Sequence, residues 1–186
     1  GISVKVMEGN MMAIADYLDN GEVDLVFTYD RHVPQGQSFE PLFAAPPYAL
    51  ISRSDEASQR PSITFEQLSK KPMIMLDLPY THDYFFGLFR ARGLEPDVAH
   101  STRSSEIAKA LVEGDFGFTL LNIRPRNYSP KDSRYSVVPI SDSSDVPIFG
   151  ISTTGNLRQP KNVRSFIKIC TKLRDDGIFD SCTVTA

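Results

Sequence analysis

The 186-residue sequence predicts an α/β fold with mostly parallel sheets. Three observations predict it. Apolar runs of strand length alternate at least three times with segments whose apolar residues recur at helical spacing. Residues 23–27 form a nearly unbroken apolar run after a helix, the pattern of a parallel strand covered on both faces. The composition, 41% hydrophobic and 23% charged, is that of a globular chain. A chain of this length buries roughly 70% of its unfolded surface without help from disulfides or metals.

Each element has a local reason. Ile2, Val4 and Val6 alternate with Ser3, Lys5 and Met7, the period of a strand with one buried face. Asn10 stands where a cap is needed before Met11, Ile14, Ala15 and Leu18, and Gly21 suits the position just past that helix. With residues 23–27 this reads strand–helix–strand, a right-handed crossover. Residues 39–45 and 48–52 are two strands split by Pro46-Pro47. Thr64 and Gln67 have capping-box spacing for a short helix over 64–68. Residues 73–76 read as a buried strand, and 83–90 as a helix carrying Tyr84, Phe85, Leu88 and Phe89, stopped by Gly93. A strand over 98–102 precedes a helix over 105–113 with Ile107, Ala110 and Leu111 on one face, ended by Gly114. Residues 116–121, 135–140 and 147–151 supply further strands. The last helix begins near Pro160, a favoured first-turn residue, buries Val163, Phe166, Ile167, Cys170 and Leu173, and stops at Gly177.

Several function classes are excluded. A net charge of −3 and a pI near 5.6 lack the clustered positive charge of a nucleic-acid surface. Cys170 and Cys182 read as two reduced thiols, and no metal-spaced cluster, GxSxG elbow, phosphate-cradling GxxxxGK[ST] loop or HExxH pair occurs. The most apolar stretch, 39–51, is broken by prolines and too short to span a bilayer. No targeting segment is visible, and because the first residues already read as a strand, the N-terminus looks like a cut inside a longer protein.

Ligands of open α/β sheets bind beyond the carboxyl ends of the strands. The run 23–27 ends in Thr28, Tyr29 and Asp30; 73–76 ends in Asp77, Leu78, Pro79, Tyr80 and Thr81. The strand at 98 ends in Thr102, Arg103 and Ser104 at a helix start, and 116–120 ends in Leu121 and Asn122. Hydroxyls, an amide and one guanidinium thus gather at four strand ends. A helix N-terminus at 102–105 favours a carboxylate or phosphate, with Arg103 able to add a bidentate contact; the alternative is plain capping by Ser104 with Arg103 in solvent. Asp30 and Asp77 read as turn formers rather than as acid–base groups. His32, His82 and His100 are scattered, and His82 next to Asp83 is too close in sequence for an orienting pair without special geometry. Tyr80, Tyr84, Phe85, Phe86 and Phe89 exceed what one buried face needs, so one or two are candidates for a cleft or a partner subunit.

These residues carry a family likeness. Glu8 with 20–26 (NGEVDLV), Pro41-Leu42-Phe43 with Ala49-Leu50-Ile51, 63–68 (ITFEQL) with Pro72-Met73-Ile74, and 110–118 (ALVEGDFGF) are collinear with conserved stretches of one domain family. The chain resembles the effector-binding domain of LysR-type transcriptional regulators. That resemblance implies a periplasmic-binding-protein-like fold, two Rossmann-like subdomains joined by two crossover strands: subdomain I from 1–72 and 148–186, subdomain II from 73–147. It implies a small, carboxylate-bearing effector in the cleft. Thr28, Tyr29, Asp30 and Ala45 would lie on one wall, with Asp77, Leu78, Pro79, Thr81, Thr102, Arg103, Ser104, Thr119, Leu120 and Asn122 on the other. It also implies a cytoplasmic homodimer or homotetramer without cofactor or membrane contact, reaching DNA through a winged helix-turn-helix absent here. The family's first strand and helix are absent as well. Two rivals stay open: a periplasmic solute-binding protein of a transporter, and an enzyme using Asp77, Asp30 or His82.

Overall fold

The computed structural model describes residues 3–125, 128–155 and 159–185. Along the chain come α1 (Met11–Asp19), β1 (Val26–Tyr29), β2 (Gln37–Ala44), β3 (Tyr48–Ser52), α2 (Phe65–Leu68), β4 (Pro72–Leu76), α3 (Thr81–Arg90), β5 (Asp97–Thr102), α4 (Ser105–Glu113), β6 (Thr119–Leu121), β7 (Tyr135–Pro139), β8 (Ile148–Thr154) and α5 (Lys161–Asp175). Two compact units form, one from residues 1–44 with 147–180 and the other from 45–146 with 181–186.

In the first unit β8 lies between β1 and β2, antiparallel to both. Leu42, Ile151 and Cys170 make its core, with Phe43, Phe166, Ile167 and Phe179 packed against them. Burial pushes the Cys170 thiol up, so it stays protonated near neutrality; both cysteines are free. Asn10 caps α1 by accepting from the N–H groups of Met12 and Ala13. At the other end Gly21 (φ +71°) donates to the Leu18 carbonyl and Glu22 to that of Tyr17, the paired bonds of a Schellman turn that only a left-handed residue closes.

The second unit is an α/β layer structure built on β3. All five residues of β3 are buried, and it pairs antiparallel with β6 and β7. Ala49 and Ile51 face a cluster holding Phe65 and Leu68 of α2 and Phe85, Leu88 and Phe89 of α3. Tyr48 and Leu50 face Ala108 and Val112 of α4. Helices therefore cover both faces, which is why the 48–52 run carries no polar alternation. β4 pairs parallel with β5, and a parallel bridge between Met73 and Phe118 joins β4 to the start of β6.

Thr64 and Gln67 form the expected reciprocal box: the Thr64 hydroxyl accepts from the Gln67 N–H at 3.2 Å, and the Gln67 Oε1 from the Thr64 N–H at 3.0 Å. The Asp142 carboxylate adds a bond from the Phe65 N–H at 3.1 Å and pairs with Arg92. Thr64→Ala should therefore lower the urea unfolding free energy by about 1 kcal/mol. A loss of only a few tenths would show that Asp142 alone holds this helix start.

The structure corrects several expectations. Residues 3–7 form no strand: Val4 and Val6 are 66% and 78% exposed, because an alternating pattern needs a neighbouring strand and none pairs with it; Ile2 lies outside the described residues. The 23–27 strand is the later β1, antiparallel to β8, with Phe27 exposed on one face, so no parallel crossover forms there. Pairing in both units is largely antiparallel, and among the described residues only β4–β5 is a parallel pair of strands. Helix α4 buries Ala108 and Val112, leaving Ile107 and Ala110 exposed. Leu173 stays at the exposed edge of α5, and Pro160 caps that helix from outside its first turn. Strand β6 starts at Thr119, with Phe116 exposed. Residues 45–72, placed with the first subdomain by the resemblance, pack in the second unit because β3 is the strand between β6 and β7.

Candidate functional site

Parallel pairing of β4 with β5, and of β4 with the start of β6, sends three carboxyl ends to one edge of the second unit. Asp77 follows β4, Thr102 ends β5, and Asn122 follows β6. The ends of β4 and β5 are locked together: the Asp77 N–H donates to the Thr102 carbonyl at 2.8 Å. The Asp77 carboxylate side chain is exposed. Two helices start at this edge, α3 at Thr81 and α4 at Ser105, and each leaves backbone N–H groups without an intrahelical partner.

The loop entering α3 is tightly wound. The Leu78 carbonyl accepts from the N–H groups of both Thr81 and His82, each at 3.1 Å. Pro79 precedes Tyr80, whose φ of +65° is rare for a residue with a side chain. The sequence places Tyr80 after the 73–76 strand and among the aromatic residues, but gives no sign of its backbone strain. Neither hydropathy nor spacing signals a left-handed non-glycine, so nothing in the sequence marks this position. At α4 the Thr102 hydroxyl accepts from the Ser104 N–H at 3.2 Å, and Ser104 accepts from the Ile107 N–H at 3.4 Å. Ser104 is thus a true cap, while Arg103 between them is exposed.

Other predicted residues support from behind. Thr119, Leu120 and Ala45 have no exposed surface. The Thr119 hydroxyl donates to the Ile74 carbonyl at 2.8 Å inside the sheet, and the Ala45 carbonyl accepts from the Asn122 amide at 2.8 Å. In the first unit, buried Thr28 sits opposite Gly150, Tyr29 meets Phe149 edge-on at 5.3 Å, and the Asp30 carboxylate accepts from the Ile148 N–H at 3.0 Å. Asp30 thus ties the start of β8 to the end of β1. His82 does pair with Asp83, at 3.3 Å and in the open, and stacks on Phe86. Among the described residues no cluster of three or more His, Cys, Asp or Glu could hold a metal ion, and no helix is long and apolar enough to cross a membrane.

A cavity of about 480 Å³ lies elsewhere in the second unit, floored by Ile63 and rimmed by Asp55, Glu56, Arg60, Lys70 and Lys71. None of the predicted residues lines it. Its lysines are engaged: Lys71 with Asp55 at 2.5 Å, Lys70 with Glu66 at 2.8 Å. Partial burial pushes the Asp55 carboxyl up, but the Lys71 ammonium and the Ala57 N–H outweigh it and hold the group below the usual carboxylate range. Its folded-state value is below the unfolded one, so the stabilisation is present above the ordinary carboxylate value and vanishes as pH falls through the folded value. Melting curves of the parent and Asp55→Asn should differ at pH 6 and converge towards pH 3. A gap that persists at low pH would assign the effect to packing instead of charge.

What this edge brings together is two helix N-termini, the exposed guanidinium of Arg103 and the exposed carboxylate of Asp77. Two α/β units of this kind define the periplasmic-binding-protein-like class, with two Rossmann-like subdomains. The chain belongs to the LysR substrate binding domain family, whose profile matches residues 1–174. HinK, a LysR family transcriptional regulator from Pseudomonas aeruginosa, is 25% identical with a TM-score of 0.80, over 89% of this chain and 58% of HinK. This chain therefore spans less than two thirds of that regulator. The effector binding domain of QuiR in complex with shikimate (15% identity, TM-score 0.76, 90% of this chain and 79% of that one) shares the fold. So does the BenM effector binding domain with its effector benzoate (17%, 0.76, 93% and 79%). No curated protein sequence matches the chain.

Proposed function

We propose that this chain is the effector-sensing part of a LysR-type transcriptional regulator, binding a small carboxylate-bearing metabolite in a cleft between its two lobes. The observation that carries the reading is the meeting of three parallel strand ends and two helix starts around Asp77, Thr102, Arg103 and Asn122. On this reading Leu78, Pro79, Thr81 and Ser104 complete one wall, and Thr28 and Tyr29 belong to the other. Shikimate and benzoate, named with two structural neighbours, are both carboxylates. The ligand acts without covalent chemistry or cofactor. It favours one arrangement of the lobes only as far as its affinity differs between arrangements. The output is DNA binding by a winged helix-turn-helix elsewhere in the protein, in a cytoplasmic homodimer or homotetramer.

Isothermal titration of a carboxylate panel, with shikimate and benzoate among the probes, tests the assignment. At least one member is expected to give saturable heat and a matching rise in melting temperature. A panel that yields neither overturns it.

A further inference from the structure

Asn122 and Tyr84 bond beside two of the three places where the chain passes between the units, after Ala44 and after Val146. The Asn122 amide donates one bond to the Ala45 carbonyl at 2.8 Å and another to the Tyr84 hydroxyl at 3.4 Å. The Tyr84 hydroxyl in turn donates to the Asp145 carbonyl at 3.0 Å. Ala45 is the first residue of the second unit after β2, and Asp145 lies one residue before the second unit gives way to Pro147. Because the Ala45 carbonyl can only accept, the amide orientation is fixed, and the relay runs one way: Asn122 to Tyr84 to Asp145. At its other end Tyr84 belongs to the first turns of α3, and its N–H donates to the carbonyl of left-handed Tyr80 at 3.0 Å. Asn122 itself terminates β6. The relay, which lies wholly within the second unit, therefore ties a strand end and a helix start of the candidate site to the residues beside two of those passages.

We propose that Asn122 and Tyr84 are positioning residues of the sensor, a clasp that holds the chain at these two of its three passages so that a shift at the site edge is passed to both at once. The proposal rests on the sensing reading, but its test needs no ligand. Nitroxide labels at Lys131→Cys and Lys168→Cys, one in each unit and both exposed, are introduced in the full chain carrying Cys170→Ala and Cys182→Ser. Pulsed dipolar spectroscopy then reads the distance distribution. Tyr84→Phe keeps the ring that packs on the core and removes only the hydroxyl; Asn122→Asp keeps the shape and removes the donor.

Each variant is expected to broaden the distribution, raising the population of alternative arrangements about five-fold, the ratio one ordinary hydrogen bond sets. The double variant should broaden it by less than the two effects combined, because the bonds form one relay. Unchanged distributions with a lowered melting temperature would make the bonds merely structural and overturn the proposal, as would broadening by one variant alone. Carboxylate titration of the parent separates this failure from failure of the sensing reading.

Discussion

Gly117→Ala is expected to destabilise the protein by at least about 3 kcal/mol, or to prevent folding altogether. Gly117 has φ +140°, and a Cβ placed there would stand 2.3 Å from the Pro72 carbonyl oxygen and 2.9 Å from its carbon. That oxygen cannot move aside. It accepts from the Phe118 N–H at 3.0 Å, and the Phe118 carbonyl accepts from Ile74 at 2.7 Å, the two backbone bonds that join the start of β6 to β4. Relief would break the bridge that aligns the strand ends of the candidate site. Gly87→Ala is the control: it lies inside α3 with nothing near the added methyl, and alanine should stabilise there by about 0.5–1 kcal/mol. Urea titrations of both variants decide the matter. A Gly117→Ala midpoint equal to the parent's would mean that β6 is joined to β4 less rigidly than the two bonds indicate.

Local chemistry was legible in the sequence and pairing was not. Asn10, Gly21 and the Thr64–Gln67 box act over two to five residues, so their spacing alone specifies the caps that form. The 48–52 strand was legible because burial on both faces leaves an apolar run with no other use. Strand direction depends on partners far along the chain. Nothing in residues 23–29 says that β8, some 120 residues later, will pair antiparallel with them. The face of α4 was misread because Ile107–Leu111 and Ala108–Val112 both satisfy a helical period, and the sheet chose the smaller pair. At the candidate site, residues following strands were nominated by the rule that ligands sit at carboxyl ends. Tyr80 escaped because backbone strain has no hydropathy signature, and the Tyr84–Asn122 relay because it joins residues 38 apart in sequence.

Arg103→Ala should weaken binding of a confirmed carboxylate effector by about ten- to a hundred-fold, the range for one charge-assisted contact. Arg103 is exposed between two residues that hold the start of α4, so its backbone is fixed while its guanidinium can reach a ligand. Because Ser104 does the capping, the melting temperature of the ligand-free variant should stay at the parent value, which separates lost binding from lost fold. Arg103→Lys should recover only part of the affinity, since an ammonium cannot match a carboxylate in two parallel bonds. Thr102→Val removes the hydroxyl that receives the Ser104 N–H and should cost about five-fold through the disturbed helix start. Raising the salt concentration should narrow the difference between the parent and Arg103→Ala, as screening demands of an exposed charge. Should Arg103→Ala and Thr102→Val both bind the effector as tightly as the parent, the anion would have to be held elsewhere, and the α4 start would be only a well-capped helix.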